Sequence, residues 1–218
     1  MKRVIAASLG ALALVMAGPV AAADLSGRYG PGPIYSPVYN WTGFYIGING
    51  GGGWGRSQWD STGSFDLWGG LLGATVGYNW QTGPWVFGAE ADVGWSSIKG
   101  TTFAACASGC ETSNSWLATV RGRAGYAFDR ILPYITAGLA VGDIRARRPG
   151  FAGADDTNVG PAVGAGLEVG LLGNWTAKAE YLFVHLGDFN CGLACGPVTP
   201  NNVSFSAHIV RGGINFRF

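Results

Sequence analysis

Two short runs of this chain place ionisable side chains two residues apart. Glu90 and Asp92 lie in one, Arg121 and Arg123 in the next, and their other residues are small, apolar or aromatic. Residues i and i+2 of a β-strand share a face. One face of each run is therefore charged. The other carries Phe87, Ala89, Ala91, Val93 and Trp95, or Ala118, Val120, Gly122, Ala124 and Tyr126. Carboxylates and guanidiniums on adjacent strands can pair across them. Glu168, Lys178, Glu180 and Arg211 fall on the same face of later runs, so that face holds four acids and four bases. Charges enclosed in a narrow, low-dielectric lumen are costly unless they pair. The chemistry implied is mutual neutralisation, a polar core that fixes register and blocks or narrows the lumen. The sharper alternative is the selectivity filter of a small pore.

Other reactive residues are few. His185 and His208 stand near the ends of neighbouring strands and are candidate haem ligands, since histidine is a common iron ligand; the plainer reading is two interfacial side chains. Ser206 shares a strand face with His208, as a nucleophile and base would, but no acid partner and no nucleophile-elbow sequence accompany them. No catalytic residue is assigned, and neither enzyme activity, a cofactor nor a metal is expected. The cysteines form two close pairs, Cys106/Cys110 and Cys191/Cys195. A C-x₃-C spacing with no histidine beside it argues little for zinc, so disulfides are expected in an exported chain, local pairing first and a cross-loop bridge left open. Arg145, Arg147 and Arg148, followed by Asp155 and Asp156, form either a site for lipopolysaccharide phosphates or a solvated loop of mixed charge.

The elements that position these residues are strands. Alternation predicts eight, at about 41–55, 67–80, 85–97, 115–128, 133–142, 159–172, 175–186 and 203–218. The outward face reads Phe44, Ile46, Ile48 on the first and Ile135, Ala137, Leu139, Val141 on the fifth. Connections alternate in length: tight at 81–84, 129–132 and 173–174, long at 56–66, 98–114, 143–158 and 187–202. Trp80, Trp85, Phe128 and Trp175 flank the tight turns, as an aromatic girdle at one membrane interface would. The fold expected is an all-β, eight-stranded antiparallel transmembrane β-barrel with short periplasmic turns and long extracellular loops.

Composition agrees. Only 12% of the 218 residues are charged, about half the usual share of a soluble domain. A lipocalin-like barrel with the apolar face inside would lack charge to cover its surface. Net charge is +1, which argues against a nucleic-acid partner. Many of the 38 glycines fall on the charged face, leaving room in a narrow interior. Met1-Lys2-Arg3, an apolar stretch from Val4 to Val15 and Ala21-Ala22-Ala23 read as a signal peptide over 1–23. Residues 24–40 read as a Pro/Gly-rich periplasmic leader, and 41–218 as the barrel.

Three segments carry a family resemblance: Asn40-Trp41-Thr42-Gly43-Phe44-Tyr45-Ile46-Gly47, Ala177-Lys178-Ala179-Glu180-Tyr181-Leu182, and the closing Val210 to Phe218. The chain resembles the small outer-membrane β-barrel proteins of alphaproteobacteria, of porin-family or immunogenic surface protein type, similar in fold to the membrane domain of outer-membrane protein A. The resemblance implies the outer membrane of a Gram-negative cell, contact with its lipid and lipopolysaccharide, and a role in envelope integrity. It implies that Phe216 and Phe218 belong to a terminal signal for the barrel-assembly machinery. Relatives described as porins or as haem-binding make a narrow pore for small solutes, or a ligand-binding surface barrel, the alternatives. The cysteine pairs depart from the family pattern.

Overall fold

The computed structural model describes residues 39–59, 63–103, 109–150, 152–190 and 202–218. The expected signal peptide and nearly all of the leader lie outside them. Eight strands follow in order: β1 (Gly43–Trp59), β2 (Gly63–Thr82), β3 (Trp85–Thr102), β4 (Cys110–Tyr126), β5 (Ile131–Arg147), β6 (Ala154–Gly170), β7 (Trp175–Asn190) and β8 (Asn202–Arg217). Each pairs antiparallel with the next, and β1 pairs with β8 to close a barrel. Over the turn-side part of the barrel closure pairs every strand on both sides, as a sheet in lipid requires; the β6–β7 ladder ends at Ala162 and Val184.

The outward row is apolar over the turn-side part of every strand: Ile46, Ile48, Val76, Val93, Val120, Ile135, Leu139, Val163 and Ile214 are all exposed. Trp80, Trp85, Phe128 and Trp175 lie at the turn end, also exposed. A second aromatic row sits toward the loop end, where Trp54 stands opposite Trp68 and Trp95 opposite Trp116. From Trp68 to Trp80 is twelve residues. That is about 40 Å along the strand, or about 28 Å across the membrane at a 45° tilt. The two rows therefore bracket one apolar band.

Beyond the second row the polarity inverts. Arg56, Asp66, Lys99, Arg147 and Asp155 face out, while Leu67, Ile98, Ile144, Leu186, Val203 and Phe205 are buried inside. This corrects the expected long connections. Most of 56–66, 98–114 and 143–158 is strand, and β7 continues to Asn190. An outward apolar pattern cannot reveal strands whose outward face has turned polar.

The turns are tight where expected. Gly83, between β2 and β3, has φ +58°, and Asp129, between β4 and β5, has φ +53°, a conformation Asp tolerates better than most side chains. Trp41, expected at the start of the first strand, lies outside β1. It is fully buried with Val86 and Leu132 at the turn end.

Candidate functional site

The eight charged residues singled out above converge in the lumen as one network. Strand register sets two of the contacts, Glu90 opposite Arg121 on β3 and β4 and Glu180 opposite Arg211 on β7 and β8. Apart from diagonals between β3 and β4 such as Arg121–Asp92, the others join strands that are not neighbours. Arg121, with a fully buried side chain, reaches Glu90 Oε1 at 2.6 Å, Asp92 Oδ2 at 2.8 Å and Glu180 Oε1, on β7, at 2.9 Å. Arg123 donates to Glu168 Oε2 on β6 at 2.6 Å, and Lys178 Nζ to Glu90 Oε2 at 2.8 Å. Arg211 bonds Glu180 Oε2 at 2.7 Å through Nε and pairs with Asp92. Four carboxylates thus face four cations, which neutralise one another inside the barrel.

Neutral groups complete the carboxylate shells. Tyr45 Oη donates to Glu90 Oε2 at 2.8 Å and accepts from Arg123 Nη1 at 3.1 Å. Thr119 donates to Asp92 at 2.6 Å. Thr176 and Asn215 donate to Glu168 Oε1 at 2.6 and 3.0 Å. The Arg123 guanidinium lies 4.0 Å from the Tyr134 ring centroid, a cation–π contact. Sequence reasoning missed Tyr45 and Tyr134 as members of this site. Their signal was inward parity, an aromatic where the face should be polar.

Apolar layers flank the charges. On the turn side Trp41 donates from Nε1 to the Asp129 carbonyl at 3.0 Å, and its backbone N–H donates to Gln81 Oε1 at 2.7 Å. The Tyr39 N–H donates to Asp129 Oδ1 at 3.1 Å. Arg217 stacks 4.4 Å from the Tyr39 ring centroid and bonds the Asn40 carbonyl. Burial pushes the Tyr39 phenol up, and the Arg217 charge opposes that shift. On the loop side Ile98, Leu182, Val184, Ile209 and their neighbours form a buried cluster, with Leu71 and Leu117 packed against it. An apolar layer inside this end was not expected from the sequence.

The other candidate residues lie apart from the lumen. His185 and Ser206 project outward on β7 and β8, with Nδ1 and Oγ 2.8 Å apart, while His208 bonds Tyr181 Oη at 2.6 Å. Ser206 thus pairs with His185, not with the His208 that shares its strand face. Arg145 contacts Asp143 Oδ2 at 3.0 Å and stands opposite Asp155, and Arg147 stands opposite Glu111. Acids therefore neighbour Arg145 and Arg147; Arg148 follows the end of β5. Cys110 is buried at the start of β4; Cys106, Cys191 and Cys195 lie outside the described residues. Among the described residues no group of three or more metal-ligating side chains occurs. Phe216 stacks edge-to-face with Trp175 and Phe218 at the turn end.

Comparison with known proteins agrees with this architecture. The chain is similar to the 31 kDa outer-membrane immunogenic protein of Brucella melitensis, 37% identical over the whole length of both chains. It is 32% identical to the 22 kDa outer membrane protein of Rhizobium leguminosarum, over 84% of this chain and 80% of that one. Among solved structures, Neisserial surface protein A aligns over 81% of this chain and 98% of its own, at 17% identity and a TM-score of 0.47. A family model for the outer membrane protein beta-barrel domain matches residues 10–218, and on that match and these relatives the chain belongs to the outer-membrane β-barrel family and is a protein of the outer membrane.

Proposed function

We propose that this chain is a structural outer-membrane barrel, with its loop end on the cell surface and its lumen closed to solutes, contributing to envelope integrity. The observation that carries the reading is the lumen network, in which every charge meets an opposite charge within the barrel. A filter needs charge left over to meet a passing ion. The layers around Trp41 and Leu182 close the same passage in series, and eight strands enclose little more space than side chains fill. No catalytic role is assigned to any residue, in keeping with relatives named as outer-membrane immunogenic proteins.

Single-channel recording of the refolded mature chain in a planar bilayer tests this. Silence is expected in the wild type. Because the layers act in series, silence is also expected after Trp41→Ala, or after Arg121→Ala with Arg123→Ala. Reproducible conductance steps in the wild type would replace this reading with that of a narrow porin. The cysteines are proposed to pair locally, Cys106 with Cys110 and Cys191 with Cys195, tightening the loop end. Peptide mapping without reduction should find those two linkages, and a peptide joining the two pairs would overturn them.

A further inference from the structure

A groove of about 800 Å³ lies on the outside of β8, β1 and β2 at the loop end. Its wall is a grid set by strand register. His208, Trp54 and Trp68 stand side by side across the three strands. Two residues further along each strand come Ser206, Arg56 and Asp66, and two further again Ser204, Gln58 and Ser64. Alternate residues share a face, so all three rows project outward, and their chemistry changes with height from aromatic to charged to neutral polar.

The lowest row continues the loop-end tryptophan girdle. The Trp54 and His208 rings stack 6.0 Å apart with 18° between their planes, and Trp68 is 77% exposed. Tryptophan rows mark the boundary between hydrocarbon and headgroups, so the two upper rows stand at headgroup height. The Arg56 Nε to Asp66 Oδ1 contact is 3.4 Å, with both side chains open to solvent.

We propose that this groove binds the saccharide of an outer-leaflet glycolipid, the sugar portion of a lipopolysaccharide. An indole face is electron-rich and receives the C–H face of a pyranose ring. The hydroxyl, amide, carboxylate and guanidinium groups above it offer the mixture of donors and acceptors that sugar hydroxyls need. A bare phosphate is served less well, because phosphate recognition calls for uncompensated positive charge and Arg56 is matched by Asp66. An acyl chain would meet apolar side chains in the lowest row alone. The sugar is assigned to a membrane-held lipid and not a soluble glycan because the aromatic floor is continuous with the lipid-facing band. The assignment rests on the loop end facing outward.

Native mass spectrometry of the refolded mature chain in micelles tests it. The probes are rough lipopolysaccharide carrying its core saccharide, lipid A without that saccharide, and the free core oligosaccharide. The loss of an aromatic anchor or a polar pair typically weakens binding about tenfold. Trp68→Ala, and separately Arg56→Ala with Asp66→Ala, should each do so for rough lipopolysaccharide while leaving lipid A binding unchanged. Equal binding of rough lipopolysaccharide by wild type and both variants would overturn the site. Lipid A binding as tightly as the core-bearing form would overturn the saccharide as ligand. The free oligosaccharide binding as tightly as the tethered one would overturn the membrane source. Heat-modifiable migration on gels verifies folding, and the charge-pair variant carries the test if Trp68→Ala does not fold. Protease added to whole cells reads orientation independently.

Discussion

At the scale of single residues, Arg121 is a hub of the lumen network, its guanidinium contacting Glu90, Asp92 and Glu180 at once. Its removal leaves carboxylates buried with fewer cations than charges. Breaking a buried pair by deleting one partner costs about 3–5 kcal/mol, so Arg121→Ala should lose about that much in urea unfolding from lipid vesicles. An unchanged midpoint would show that the network does not hold the barrel together. Which residues bear charge on the inner face was legible from period two alone. Their partners were legible only between neighbouring strands. Lys178 on β7 bonds Glu90 on β3, four strands away round the barrel, because a long side chain in a closed barrel reaches the opposite wall as readily as its neighbour.

At the scale of elements, β4 changes which residues face inward along its length. Cys110, Thr112 and Asn114 are buried at even positions, Thr119, Arg121 and Arg123 at odd ones. The pairing with β5 slips between Ser113 and Leu117, a bulge that reverses the alternation. Asp143 Oδ1 braces it, accepting from the Ser115 and Trp116 N–H groups at 2.8 and 3.0 Å. Leaving buried donors unpaired costs about 1–3 kcal/mol each, so Asp143→Ala should speed hydrogen exchange at those two amides before any other part of β4. Uniform exchange along the strand would refute that role. A second test separates the two faces of the sheet. A Cβ at Gly138 would meet the Val120 carbonyl oxygen at 2.1 Å and Arg121 Cα at 2.6 Å, whereas at Gly122 the nearest atom is 3.9 Å away. Overpacking typically costs about 1–3 kcal/mol, so Gly138→Ala should lower stability by that amount and Gly122→Ala should leave it nearly unchanged. Equal effects would show that crowding beside Arg121 is not what fixes the inner glycine.

At the scale of the whole molecule, the barrel is two environments stacked along one axis. Between the tryptophan rows it is apolar outside and charged inside; toward the loop end it is polar outside and apolar inside. Strands of 16 to 20 residues exceed the 9–11 that a bilayer needs, and the excess builds the second environment. Cutting the buried loop-end cluster with Leu182→Ala should lower stability by about 2–5 kcal/mol, measured in the same unfolding assay. A loss well below that range would mean the loop-end layer is loosely packed. The sequence by itself determined the strand count, the lipid-facing band, the charged face and the tight turns, because each follows from a period of two or from local turn chemistry. Only the tertiary structure decided which charge meets which, that Tyr39 and Trp41 fold over the turn end onto Asp129, and that the strands continue past the membrane. Those features depend on closure of the barrel, which brings together residues that no local pattern relates.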